Sequence, residues 1–116
     1  MSFLEPNDFS KIDGTHIKNL KKGKFDYQDS IDLHGLRLHE AELEFYDFLD
    51  SSVEQGYRKL LVVTGKGLGS PEGNQTIKQS LTNWVNKTPH QNRILTFCTA
   101  HIKHGGDGAF YILLKK

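Results

Sequence analysis

At 116 residues, with 36% hydrophobic and 25% charged residues and a formal net charge of +1, the chain has the length and balance of one globular domain with its own core. A single cysteine, Cys98, excludes a disulfide framework, and no apolar run approaches the roughly 20 residues that would span a bilayer. Residues 1–10 lack the basic region and apolar core of a signal peptide, so a cytoplasmic protein with no membrane partner is expected.

Residues 1–28 read as a basic N-terminal extension, polar and broken by Pro6, Gly14 and Gly23, with a short helix over about 15–22; the domain proper is expected over 29–116. Lys11, Lys18, Lys21, Lys22 and Lys24 crowd this segment, whereas residues 40–54 hold Glu40, Glu42, Glu44, Asp47, Asp50 and Glu54 with no Lys or Arg. Such segregation either orients the molecule on a polyanion or marks two solvated helix faces. A strand over 30–34 comes next, then an amphipathic helix in which Leu38, Ala41, Phe45, Phe48, Leu49 and Ser52 recur at helical spacing up to Gly56. The apolar run 59–64 predicts a second strand, ended by the glycine-rich loop Gly65, Lys66, Gly67, Leu68, Gly69. A second helix is expected from Asn74, a good N-cap, through Ile77, Leu81, Trp84 and Val85, ending before Pro89. Closing strands over 93–100 and 109–114 flank the loop His104, Gly105, Gly106, Asp107, Gly108, and Cys98 falls in the first of them as a buried, reduced thiol.

This β-α-β-α-β-β order places the chain in the α/β class, with the first three strands parallel because a helical connection returns the chain to start the next strand in the same direction. The loops leaving the carboxyl ends of those strands then share one rim, where ligands usually bind. Two right-handed connections put both helices on one sheet face, yet the last strand is apolar on both sides, at Phe110, Ile112 and Leu114 and at Tyr111 and Leu113. The extension is expected to cover the second face, with a dimer interface as the competing explanation; the expected state is a monomer or weak dimer.

Three features on that rim carry candidate chemistry. Asp32 and His34 stand two apart at the end of a strand, so both side chains face one surface, and a carboxylate beside an imidazole fixes its tautomer and raises its basicity. The bland alternative is a turn-capping acid and a satisfied histidine. The loop at Gly65, Lys66, Gly67 and Gly69 suits a phosphate, since glycines let backbone N–H groups approach an anion and the lysine adds charge; the alternative is a plain strand-to-helix turn. It is neither a Walker A loop nor a dinucleotide fingerprint. The loop at Gly105, Gly106 and Gly108 is the second candidate cradle, or else a turn between antiparallel strands. No Cys/His cluster resembles a zinc site and no resident metal is expected, although Asp32 and Asp107 could together hold a magnesium ion through water.

Ile31-Asp32-Leu33-His34-Gly35-Leu36, then Val62-Val63-Thr64-Gly65-Lys66-Gly67, then Gly105-Gly106-Asp107-Gly108-Ala109 before an apolar last strand, resembles the Smr (small MutS-related) domain family over about 31–114. The stretch Leu20-Lys21-Lys22-Gly23-Lys24 is similar to the extension of short stand-alone bacterial members. The resemblance implies a two-layer α/β sandwich on a four-stranded mixed sheet, like the C-terminal domain of translation initiation factor three, with the last strand antiparallel between the second and third. It also implies nucleic-acid binding and endonuclease activity: nicking of DNA for some members, cleavage of RNA for others, including relatives that act on messenger RNA at stalled ribosomes. The family's functional motifs map onto Asp32, His34, Gly65, Lys66 and Gly67. On this reading His34 is the general base, Asp32 orients it, Lys66 stabilises phosphorane charge, and His104 protonates the leaving oxygen, with Lys21 and Lys22 contacting the backbone. RNA as substrate requires no cofactor, and DNA calls for Mg2+ or Mn2+. The rival reading is a non-catalytic module that binds nucleic acid or the ribosome. Asp107 is a departure, because it sets a negative charge inside the second glycine loop.

Overall fold

The structure is a computed structural model that describes residues 3–67, 76–87 and 89–115. Its elements follow the expected order: α1 (Gly14–Lys21), β1 (Asp29–Asp32), α2 (Leu38–Gln55), β2 (Lys59–Val63), α3 (Ile77–Val85), β3 (Ile94–Thr99) and β4 (Ala109–Leu114). The fold is mixed α/β, a four-stranded mixed sheet with α2 and α3 on one face.

Each helix starts where a side chain can take up an orphan N–H. Asp13 accepts from the His16 N–H at 2.9 Å to open α1, and the Glu40 carboxylate accepts from the Arg37 N–H at 3.3 Å at the head of α2. Gly56, at φ +78°, ends α2 in the left-handed conformation that a side chain would resist. The second predicted helix starts later than expected: Thr76 caps it, accepting from the Gln79 N–H at 3.1 Å while Gln79 accepts from the Thr76 N–H at 2.8 Å. That reciprocal capping box holds the helix start at Thr76; Asn74, the cap read from sequence, lies outside the described residues.

The strand order is β1-β2-β4-β3. β1 and β2 pair in parallel, and β4 runs antiparallel to both β2 and β3, so β1, β2 and β3 all point the same way. Alternation then sorts the side chains. Leu60, Val62, Phe110, Ile112, Phe97 and Leu33 pack with Ala41, Phe45 and Leu49 of α2 and Leu81, Trp84 and Val85 of α3. The opposite face carries Leu61, Cys98, Ala109 and Tyr111, and Leu20 and Phe25 of the N-terminal segment bury against it, the Phe25 ring stacking on Tyr111 at 4.2 Å between centroids. The segment ahead of α1 also protects the outer edge of β3: the Asn7 N–H donates to the Phe97 carbonyl at 2.9 Å, the Thr99 N–H to Asn7 Oδ1 at 3.0 Å, and Thr96 Oγ1 to the Asp8 carbonyl at 2.6 Å. The second apolar face is therefore filled by this chain's own residues.

The two charge clusters end up on opposite sides of the sheet, because acidic α2 lies in the first layer and basic α1 in the second. Among the described residues, no helix is long and apolar enough to cross a membrane.

Candidate active site

Leu33 is fully buried in the first core cluster and Ile31 packs on it, so Asp32 between them projects to the other face, the one that carries the N-terminal segment. The Leu33 N–H still donates to the Val63 carbonyl at 2.7 Å, which continues the β1–β2 ladder past Asp32 and brings His34 round beside it. Asp32 Oδ1 accepts from the His34 N–H at 3.0 Å and lies 2.5 Å from His34 Nδ1. The side chains stay open to solvent, His34 67% and Asp32 54% exposed, as groups that meet a large substrate must be. The hydrogen bond from the His34 side chain is the main cause that holds the Asp32 carboxyl below its ordinary value. An ionised carboxylate only accepts, so Nδ1 carries the proton and Nε2 is left as the outward, basic nitrogen.

The first glycine loop closes over this pair. Gly65 and Gly67 have φ of +79° and +71°, and a Cβ on Gly65 would meet His34 Cβ at 3.4 Å. The N–H groups of Thr64 and Gly65 donate to the Gly108 carbonyl at 2.8 and 3.0 Å, and Thr64 Oγ1 donates to the Gly65 carbonyl at 2.9 Å. These bonds turn the loop so that the Lys66 side chain is exposed, and the Lys66 and Gly67 N–H groups have no hydrogen-bond partner among the described residues. Backbone N–H groups beside an exposed lysine are what an anion would need at such a loop. Gly69 lies outside the described residues.

The second glycine loop does something different from the cradle read in the sequence. It folds as two 3₁₀ turns, Ile102–His104 and Gly106–Gly108, in which the Gly105, Gly106 and Gly108 N–H groups donate to the carbonyls of Ile102, His101 and Gly105. Its donors are consumed internally, and what it gives the rim is shape. A Cβ on Gly108 would sit 3.3 Å from the Gly65 carbonyl carbon and 3.5 Å from the Lys66 nitrogen, so glycine lets the two loops meet closely. Gly108→Ala is expected to displace the Lys66 loop from His34 slightly, with a Tm loss of a few degrees; an unaltered Tm would show that the loop contact is dispensable.

His104 makes its contacts with Tyr111 and Tyr27. Its Nδ1 bonds to the Tyr111 hydroxyl, and its ring meets Tyr27 edge-on at 5.5 Å. Burial, with the nearby Lys103 and His101 charges adding to it, holds the His104 pKa below its ordinary 6.5. As pH falls, the unfolded chain takes up that proton before the folded one does, so stability declines once pH drops below about 6.5. Tm recorded from pH 7.5 down to 5 should fall more steeply for the wild-type chain than for His104→Gln; parallel curves would count against a lowered pKa at this half-buried imidazole.

Among the described residues, no group of three or more His, Cys, Asp or Glu comes together to hold a metal ion. Lys21 and Lys22 lie at the end of α1, both exposed, with the Lys21 ammonium 5.9 Å above the Phe9 ring. No signal in the sequence marks the parts played by Thr64, Tyr27 and Tyr111. Tyr111 read only as one apolar residue of a strand.

The chain is 25% identical over 114 residues to the Probable DNA endonuclease SmrA of Escherichia coli, covering 97% of this chain and 59% of that protein. It is 29% identical over 103 residues to the Ribosome rescue factor SmrB of a Shewanella strain, covering 89% of this chain and 53% of that one. The chain thus spans little more than half the length of these curated relatives. Among solved structures, the Smr domain of Thermus thermophilus MutS2 superposes with a TM-score of 0.63 at 26% identity, over 76% of this chain and 99% of that one. The fold also matches the stand-alone small MutS-related protein YdaL of Escherichia coli, with a TM-score of 0.72 at 23% identity, over 100% of this chain and 92% of that one. With a profile of the Smr domain matching residues 31–115, which hold the Asp32–His34 pair and both glycine loops, this chain belongs to the Smr domain family.

Proposed function

We propose that this Smr-family chain is an endonuclease that cleaves phosphodiester bonds in nucleic acid. The observation that carries the proposal is the 2.5 Å Asp32–His34 contact set against the Lys66 loop. His34 Nε2 takes the proton from the attacking hydroxyl, Asp32 steadies the imidazolium that results, and the Lys66 ammonium and loop N–H groups offset the charge that builds on phosphorus. RNA brings its own nucleophile, the 2′-hydroxyl next to the scissile phosphate. Its attack forms a 2′,3′-cyclic phosphate as the P–O5′ bond breaks, and the leaving 5′-oxygen takes its proton from solvent, so the step calls for no metal. DNA has no such hydroxyl, and its nicking needs an activated water and a divalent ion such as Mg2+ or Mn2+.

The distribution of charge supports the same face as the substrate side. Lys18, Lys21, Lys22 and Lys24 are exposed in the layer towards which Asp32 points, while the carboxylates of α2 lie behind the sheet. A polyanion is thereby drawn to the catalytic side and repelled from the other.

A second reading rests on the relative named a ribosome rescue factor: docking of this chain on the ribosome or another nucleic acid without cleavage. The readings part in an assay of end-labelled single-stranded RNA and supercoiled plasmid. The endonuclease yields product, whereas the docking module yields only salt-sensitive binding.

A further inference from the structure

Tyr27 is an aromatic residue with no evident structural reason to be exposed. It is 40% open to solvent just ahead of β1, and its ring meets the His104 ring edge-on, while His104 is anchored from below by the Tyr111 hydroxyl. The three rings form a fixed step rather than a loose surface side chain, because Tyr111 is itself stacked on Phe25 in the buried layer.

Positive charge gathers at the same step. Gly23, at φ +75°, passes so close to the second glycine loop that a Cβ there would lie 2.7 Å from His101 Cγ and 2.8 Å from Lys103 Cε. Lys103 is thereby brought alongside Lys22 and Lys24, which flank Gly23, and among the described residues none of these lysines is in an ion pair.

The step lies on the same sheet face as the Asp32–His34 pair. Tyr111 pairs with Leu61 and Leu61 with Ser30, so the strand beneath His104 runs two places from β1, about 10 Å away. That strand spacing suits a neighbouring nucleotide of the same nucleic-acid strand.

We propose that Tyr27 and His104, with Lys22, Lys24 and Lys103, form a subsite for an unpaired nucleotide next to the scissile phosphate. The base stacks on the exposed Tyr27 ring and its phosphate is met by the lysines. The subsite rests on the endonuclease reading for its purpose. It deepens that reading by naming the substrate form, because a ring can stack only on a base freed from its partner, which selects single-stranded over duplex RNA.

Binding is measured in the Asp32→Ala/His34→Ala background, so that the test does not depend on cleavage. The probes are a fluorescent single-stranded RNA of mixed sequence and the blunt duplex made from it, across a salt series. The subsite predicts tighter binding of the single strand, a loss of about tenfold on Tyr27→Ala that Tyr27→Phe largely avoids, and no matching loss for the duplex. Lys103→Ala should reduce the salt dependence of single-strand binding. Equal affinities for the two probes, or an unaltered single-strand affinity in Tyr27→Ala at unchanged Tm, would overturn the subsite. Cleavage by the wild-type chain is scored separately, so loss of the endonuclease reading leaves this binding result standing by itself.

Discussion

Replacing either Asp32 or His34 with alanine is expected to lower the rate of phosphodiester cleavage by about 100-fold or more, while nucleic-acid affinity and Tm stay near those of the wild-type chain. General acid–base catalysis by a positioned side chain contributes on the order of 10²–10⁴ to a rate, and His34→Ala removes that contribution outright. Asp32→Ala leaves the imidazole in place but frees its ring and tautomer, so its effect should be of the same kind and somewhat smaller. Both side chains are more than half exposed, and neither belongs to the core, so folding should be little affected. The two effects should not add, because Asp32 acts only through His34; the double variant should be close to His34→Ala. Multiplicative losses would mean that Asp32 has a separate role at the phosphate.

The second large effect concerns the N-terminal segment. Leu20 and Phe25 are each only 5% exposed against the second sheet face. Truncating a buried phenylalanine to alanine costs about 3–5 kcal/mol, a large part of the roughly 5–15 kcal/mol that holds a domain of this size together. Phe25→Ala should therefore lower Tm by on the order of 10–20 °C, and removal of residues 1–25 should do at least as much. The chain's single thiol reports on this directly. Cys98 lies in the same cluster, 2% exposed, with burial pushing its pKa up to about 12. A thiol so placed reacts slowly with a disulfide reagent in the intact protein, and the truncated chain should react many times faster. An unchanged Tm together with a still protected Cys98 would show that something other than residues 1–25 covers the face.

Much of this was legible in the sequence because periodicity fixes which side of an element each residue takes. The alternation of Ile31, Asp32, Leu33 and His34 already places the acid and the imidazole on one surface, and the Asp32–His34 bond follows from it. The apolar doubling of β4 likewise announced a second covered face, which Leu20 and Phe25 supply. The position of β4 between β2 and β3 was not readable from pattern, because strand order is set by pairing across the sheet; it came from the family resemblance alone. Hydrogen-bond partners were hidden for the same reason. Gly105, Gly106 and Gly108 look like a phosphate cradle as a string of glycines, but their N–H groups turn back on their own loop. The Tyr111 hydroxyl that holds His104 Nδ1 was hidden in the same way, because a strand residue seven places on carries no mark of the ring it will meet. The helix start could have been placed better, since Thr76 followed by Gln79 at the capping-box spacing is a stronger signal than an isolated Asn74.

The measurement that tests the central claim most directly is cleavage of end-labelled single-stranded RNA in EDTA by the wild-type chain and by the Asp32→Ala/His34→Ala double variant. The account predicts RNA products in EDTA that vanish in the variant, with supercoiled plasmid nicked only when a divalent ion is added. Equal cleavage by the two proteins, or no cleavage of RNA or plasmid by the wild-type chain under any of these conditions, would contradict it.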